Sequence, residues 1–301
     1  MTPLIEPWVA VALVAALVQT LRFALQKSLR GSGLSSGGAT FSRFLFGAPL
    51  ALVTSGVALV AEGHGVTGFT PTFWGWVVAG GLAQIAATMA TVSLFAERNF
   101  AVGVAFTKTE TVLVALFSLV LLGERISFHG FIAILIGVVG VVLLSWKAGA
   151  GRLALFNRAS GLGLVAGGLF AVAAISYRGA TIEIASDSAF LRAAVTLAAV
   201  TSFQTLAMSV YLRLAEPGEI GRVFSRWRTT VLVGVTGMLG SLGWFVAFAL
   251  QNAAYVRALG QAELVFSLFV SWFIFKDRSN AREVVGMALL LLSILALVLW
   301  V

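Results

Sequence analysis

A succession of apolar runs, each close to the length of a bilayer crossing, constrains this chain more than any other feature. Hydropathy and breakers divide it into ten: residues 8–26, 36–61, 73–96, 100–122, 128–146, 161–177, 189–214, 229–250, 255–275 and 283–300. A spanning helix needs about 20 predominantly apolar residues, and these runs meet that need with short connections between them. Charged residues make up 11% of the chain, against roughly 25% in a soluble domain. Mean hydropathy is +1.01. Such a chain cannot clothe a water-facing surface, so the expected fold is an all-α integral membrane protein of ten transmembrane helices. The opening MTPLIEPWVA has no basic residue ahead of its apolar run. A secretory signal wants a positive start, so the first run is expected to be a retained span.

Several function classes fall away at once. The chain has no cysteine, which excludes disulfides and thiolate chemistry. Its two histidines, His64 in an expected loop and His129 at the loop edge of the fifth run, share no cluster, which argues against a metal-centred enzyme. No metal or cofactor is expected. The formal charge of +8 comes without the Lys/Arg-rich run that marks a nucleic-acid footprint. These basic residues are better explained as anchors at helix ends.

The ten runs fall into two sets of five. A shift of 153 positions lays LFAERNFAVGVAFTKTE, ending at Glu110, over AFALQNAAYVRALGQAE, ending at Glu263. Without a gap, Phe95 meets Phe248, Asn99 meets Asn252, Ala101 meets Ala254 and Ser118 meets Ser271. Glu124 meets Asp277 and Arg125 meets Arg278, and at a nearby offset Arg43 in FSRFLF resembles Arg192 in FLRAAV. Matched polar residues inside apolar runs are uncommon by chance. The expected organisation is a first five-helix repeat over 1–146, a polar linker over 147–160 and a second repeat over 161–301. An odd number of helices per repeat sends the second through the membrane upside down. Inverted repeats are a transporter architecture with the site at their interface near mid-membrane.

Two five-helix halves, with LLGERIS closing the fourth run before a glycine-containing fifth, resemble the drug/metabolite transporter superfamily, in particular its ten-helix, EamA-like branch. FKDRSN is the weaker counterpart in the second half, and Arg43 and Arg192 fit the same pattern. The chain departs from it in lacking the first-helix Trp of each half and the Pro after the middle of helices four and nine. Glu110 and Glu263 occupy that region instead. The resemblance implies carriage of small metabolites, often amino acids, or of drugs, usually coupled to ions or protons. Export is likewise an implication of the resemblance.

Charged residues inside spans cost about 2.5–3.5 kcal/mol each on insertion scales and mark functional sites by default. Lys108 and Glu110 fall near the middle of the fourth run, and Glu263 falls well inside the ninth. Lys108 and Glu110 are two residues apart and project in different directions on a helix. Each needs a partner elsewhere: substrate and proton, or a purely structural pairing with one another's helices or with Arg22, Arg43 or Arg192. Gln19, Arg22 and Gln26 form a polar stripe in the first run, and Gln84, Thr88 and Thr91 another in the third. Such stripes line a cavity or a buried helix interface. Glycines at 234, 237, 240 and 243 and at 161, 163, 167 and 168 permit close helix approach. Among the aromatics, Trp244, Tyr177, Tyr255, Trp76 and Phe248 suit a pocket wall, Trp244 and Tyr255 best. Trp8, Trp146, Trp227 and Trp300 lie near span ends, as belt residues do.

The expected substrate-binding set is therefore Glu110, Glu263, Lys108, Arg22, Gln19, Gln84, Trp244 and Tyr255. The expected function is secondary transport of a small organic solute by alternating access, the solute being an amino acid or an amphipathic or cationic compound. In that reading, the two carboxylates exchange a proton or attract a cation, and Lys108 or Arg22 attracts an anion. Nothing resembles a Walker A loop, so ATP is not the expected driver. An intramembrane enzyme using Glu110 with Lys108 and a passive channel are the alternatives. The expected setting is the bilayer of a bacterial inner membrane, as monomer or homodimer. Basic residues crowd the loops after odd-numbered runs, with only Arg125, Arg178 and Arg257 assigned to even ones. The positive-inside rule then puts both termini outside.

Overall fold

The computed structural model describes residues 6–63, 65–97, 104, 107–123, 127–145 and 158–276, and scattered positions between 281 and 296. The tenth run, most of the linker, His64, and the stretches holding Arg98, Arg125, Asp277 and Arg278 lie largely or wholly outside the described residues. Helices dominate, and the one strand-like contact among the described residues is an isolated bridge between Thr67 and Ala185. They are α1 (Pro7–Gly31), α2 (Ser36–Glu62), α3 (Pro71–Glu97), α4 (Glu110–Leu121), α5 (Phe128–Ser145) and α6 (Arg158–Glu183). Then come α7 (Ala189–Ala215), the short α8 (Glu219–Ser225), α9 (Trp227–Leu250), α10 (Ala253–Leu259) and α11 (Ala262–Phe273).

Seven segments among the described residues are long and apolar enough to cross a membrane: α1, α2, α3, α6, α7, α9, and the stretch Ala253–Phe273 that contains α10 and α11. The expected spans over 100–122, 128–146 and 283–300 are described only in part. Large apolar side chains face outward along these helices, among them Val14, Val53, Val57, Val60, Leu206 and Leu239. So much exposed apolar surface belongs in lipid. The protein is a multi-pass membrane protein.

Local sequence explains the helix bounds. Pro7 sits at the first turn of α1, where its missing N–H costs nothing. Ser35 caps α2 by accepting from Gly38 N at 2.8 Å, and Gly63 ends that helix in the left-handed region at φ +70°. Ser188 caps α7 by accepting from Leu191 N at 3.3 Å. Helices α2 and α7 are both 27 residues long and start 153 positions apart, at 36 and 189.

Two expected helices are interrupted. The fourth run is not a continuous helix through Lys108 and Glu110: Thr107–Thr109 form a 3-10 turn, and α4 starts at Glu110. The ninth run breaks at Gly260 and Gln261, and α11 places Glu263 in its first turn. At the first break, Thr107 Oγ1 donates to Val104 O at 2.8 Å, and at the second stands Gly260, a residue of low helix propensity.

The most extensive packing joins α3 to α6, α1 to α9, α2 to α7, and α2 to α9, followed by α4 to α6 and α1 to α11. The glycine stripe of α9 makes this closeness possible. A Cβ built at Gly234 would lie 2.3 Å from Phe46 Cβ, and one at Gly243 would lie 2.8 Å from Ala15 Cβ.

Candidate functional site

The two helix breaks meet. Lys108 Nζ lies 2.6 Å from Glu263 Oε2, and both side chains are buried. Glu110 takes its partner from the far part of the chain: Arg257 Nε lies 2.5 Å from Glu110 Oε1, and Arg257 Nη2 donates to Oε2 at 2.7 Å. The Nη2 contact is a charge-assisted hydrogen bond and the Nε contact a close ion pair, so one guanidinium engages both carboxylate oxygens. Arg257 Nη1 also reaches within 4.0 Å of Glu263 Oε1, so the two pairs touch.

Neutral groups complete the cluster. Gln19 Nε2 donates to Glu263 Oε1 at 2.7 Å, and Gln19 Oε1 accepts from Trp244 Nε1 at 3.0 Å. These two bonds fix the amide orientation, because each end of the glutamine is matched to its partner's role. The indole face of Trp244 carries the Arg257 guanidinium 4.7 Å from the ring centroid. Two basic and two acidic side chains thus share one buried volume, and their formal charges balance.

Arg257 was hidden in the sequence. Counting it among the loop residues after the eighth run was wrong: it lies one turn into α10 and is 8% exposed. The alternative pairing of the carboxylates with Arg43 or Arg192 is not the one formed. Arg192 Nη2 instead donates to Ala249 O at 3.0 Å and Arg178 Nη1 to Phe248 O at 2.5 Å. Both cap the last carbonyls of α9.

The remaining members of the expected set separate. Arg22, one turn from Gln19, donates to Gln26 Oε1 at 2.6 Å and stacks over Phe23, with its centre 4.2 Å from that ring. Gln84 joins a different network, accepting from the Tyr177 hydroxyl at 2.9 Å and from Gln204 Nε2 at 3.0 Å. Tyr255 directs its hydroxyl to another contact. Its hydroxyl accepts from Ser127 N at 2.9 Å, in the connection between α4 and α5.

Each end of the bundle carries its own closing contact. At the α1–α2 end, Ser35 N donates to Glu219 Oε1 at 2.6 Å, and the Ser35 hydroxyl donates to Glu216. Both carboxylates thereby sit on the positive start of α2. At the other end of α2, Ala185 N donates to Thr67 O at 3.0 Å and Thr70 Oγ1 to Glu183 Oε2 at 2.8 Å. Gly68 permits that contact: its φ is +112°, and a Cβ there would lie 2.0 Å from Glu183 O.

Comparison with known proteins agrees with this architecture. A solved structure described only as "Crystal structure of protein" resembles the chain with a TM-score of 0.64 at 18% identity, covering 96% of this chain and 99% of its own. At that identity the likeness is one of fold. No curated protein matches the chain. Residues 6–146 match the model of the EamA-like transporter family, part of the drug/metabolite transporter superfamily.

Proposed function

We propose that the protein is a secondary transporter of small organic solutes, built as two inverted five-helix repeats over 1–146 and 161–301, that works by alternating access around the Lys108–Glu263 and Glu110–Arg257 pairs. The single observation carrying this reading is that the carboxylates matched at offset 153 begin two interrupted helices and are cross-paired, each by a cation from the opposite half. Interrupted helices at mid-membrane are how transporters present backbone and charge to a solute.

The helix pairing supports the repeat. Exchanging first-half helices for their second-half counterparts turns the α1–α9 pairing into α6–α3, turns α4–α6 into the contact of α11 with α1, and returns α2–α7 to itself. A two-fold axis in the membrane plane has this effect. The same operation carries the Ser35 cap onto the Ser188 cap, and so exchanges the two ends of the bundle at which these contacts lie. Opening to one side breaks the Ser35–Glu216/Glu219 contact, and opening to the other breaks the Thr67–Ala185 and Thr70–Glu183 contacts.

In this scheme, water entering from either side separates one ion pair, and the freed carboxylate exchanges a proton. Glu110 and Glu263 would then couple proton movement to the solute. Gln19 and Trp244 hold the geometry of Glu263 and supply an amide and an aromatic face to the solute. A passive channel has no need of contacts closing both ends. An enzyme built on Glu110 and Lys108 is disfavoured because the two side chains point to different partners.

Counterflow in proteoliposomes tests the proposal. Solute loaded inside should accelerate uptake of labelled solute from outside, and simple equilibration with no trans acceleration would contradict a carrier. The topology carries its own prediction. Removing Arg257 from the loop count sharpens the basic bias toward loops after odd-numbered spans, so both termini should face the periplasm of a bacterial inner membrane. A C-terminal reporter that fluoresces only in the cytoplasm should stay dark, and a bright functional fusion would reverse the orientation.

A further inference from the structure

The central pairs consume their own charge, which leaves two arginines unaccounted for. Arg22 and Arg43 are 1% and 4% exposed. Their stems converge on one glycine of α9: a Cβ at Gly237 would lie 2.7 Å from Arg43 Cγ and 3.4 Å from Arg22 Cδ. Among the described residues, the hydrogen-bond partners of the two guanidinium groups are neutral. Arg22 Nη1 donates to Gln26 Oε1 at 2.6 Å. Arg43 donates from Nη2 to Ser241 Oγ at 2.9 Å and from Nη1 to Thr88 Oγ1 at 3.4 Å. Arg22 Nη2 is buried and has no hydrogen-bond partner among the described residues. The Glu263 carboxylate of the neighbouring cluster is already held by Lys108 at 2.6 Å.

Two like charges side by side in a dry interior repel one another, and neither is compensated by hydrogen bonds to hydroxyls and amides alone. A protein keeps such a pair when something anionic arrives to join it. The pair stands one helical turn along α1 from Gln19 and along α9 from Trp244, so an anion held there would be bonded to a molecule lying against the central cluster.

We propose that Arg22 and Arg43 form the subsite that receives the carboxylate of a carboxylate-bearing organic solute, with Ser241 and Thr88 orienting Arg43 and Gln26 orienting Arg22. This rests on the transport reading and assigns the anion to the arginine pair rather than to Lys108. A guanidinium carries a planar fork of N–H donors that matches a carboxylate, and two of them stand at this place. The body of the solute then points toward Gln19 and Trp244.

The test is thermal stability of the purified full-length protein in detergent. The probes are leucine and phenylalanine, their α-carboxamides, and the deaminated acids 4-methylpentanoate and 3-phenylpropanoate, at matched ionic strength. At least one carboxylate should raise the unfolding midpoint by several degrees while its carboxamide does not. Arg22→Gln and Arg43→Gln should abolish that shift or weaken apparent affinity at least tenfold, with Arg22→Lys keeping part of it. Without ligand, Arg22→Gln should be no less stable than wild type, since it removes an uncompensated charge. The proposal is overturned if no carboxylate stabilises the wild-type protein, if amide and acid act alike, or if the glutamine variants keep the shift. The wild-type comparison of acid with amide decides the matter even where a variant fails to fold. Failure of counterflow alongside acid-selective stabilisation would remove the transport reading and leave the subsite. Counterflow of a solute without a carboxylate, not competed by the acids, would do the reverse.

Discussion

Arg257→Met is expected to destabilise the protein by about 3–5 kcal/mol, because it strands the Glu110 carboxylate in a dry interior without its cation. Among the described residues Arg257 is the cation hydrogen-bonded to Glu110, and Lys108 is held by Glu263. Adding Glu110→Gln to Arg257→Met removes the stranded charge, so the double variant should recover most of the lost stability. Non-additivity of that size is expected for groups in one network. Transport should not recover, because the scheme requires the carboxylate as well as the fold. Lys108→Met with Glu263→Gln forms the second such cycle. Thermal unfolding of the purified variants measures the coupling, and additive effects would mean that the pairs are not energetically joined.

Gly234→Ala is expected to cost about 1–3 kcal/mol, the usual penalty for forcing an extra group into a filled core. The new Cβ would lie 2.3 Å from Phe46 Cβ and 3.0 Å from Phe46 C, and backbone cannot swing aside as a side-chain tip can. Relief requires α2 and α9 to separate along the interface that also holds Arg43. Gly56→Ala in α2 is the control, with open space around it. That change should be neutral or slightly stabilising, since alanine favours helix over glycine by about 1 kcal/mol. Equal unfolding midpoints for the two variants would show that the α2–α9 approach is looser than described.

The membrane class was legible because it depends on composition and run length, which are one-dimensional properties. The starts of α2 and α7 were legible for a similar reason: Ser35 and Ser188 are local caps just ahead of apolar runs. The burial of Glu110 and Glu263 also followed from sequence, since each lies inside such a run. Their partners did not. Arg257 is near Asn252 and polar sequence, so it counted as a loop anchor, and what draws it inward is a carboxylate 147 residues away. The helix breaks were missed because Thr107–Thr109 and Gly260–Gln261 are short and sit in strongly apolar surroundings that read as continuous. Thr107 and Gly260 were the available signals. Tyr255 was chosen for the pocket by residue type alone, and type does not tell which way a ring faces. The hydroxyl of Ser127 and its backbone decide that.

The absence of cysteine allows the central claim, access to one site from both sides of the membrane, to be tested without background labelling. Ser241 accepts from Arg43 and is 5% exposed, so Ser241→Cys places a single thiol between the two closed ends. A membrane-impermeant thiol reagent is applied from each side in turn, in oriented vesicles. Alone, the thiol should react slowly from both sides. Adding Glu219→Ala, which breaks the contact with Ser35, should speed labelling from the α1–α2 side several-fold and slow it from the other. Adding Thr70→Ala, which removes the bond to Glu183, should shift the balance the opposite way. Labelling from one side only, unmoved by either change, would contradict alternating access.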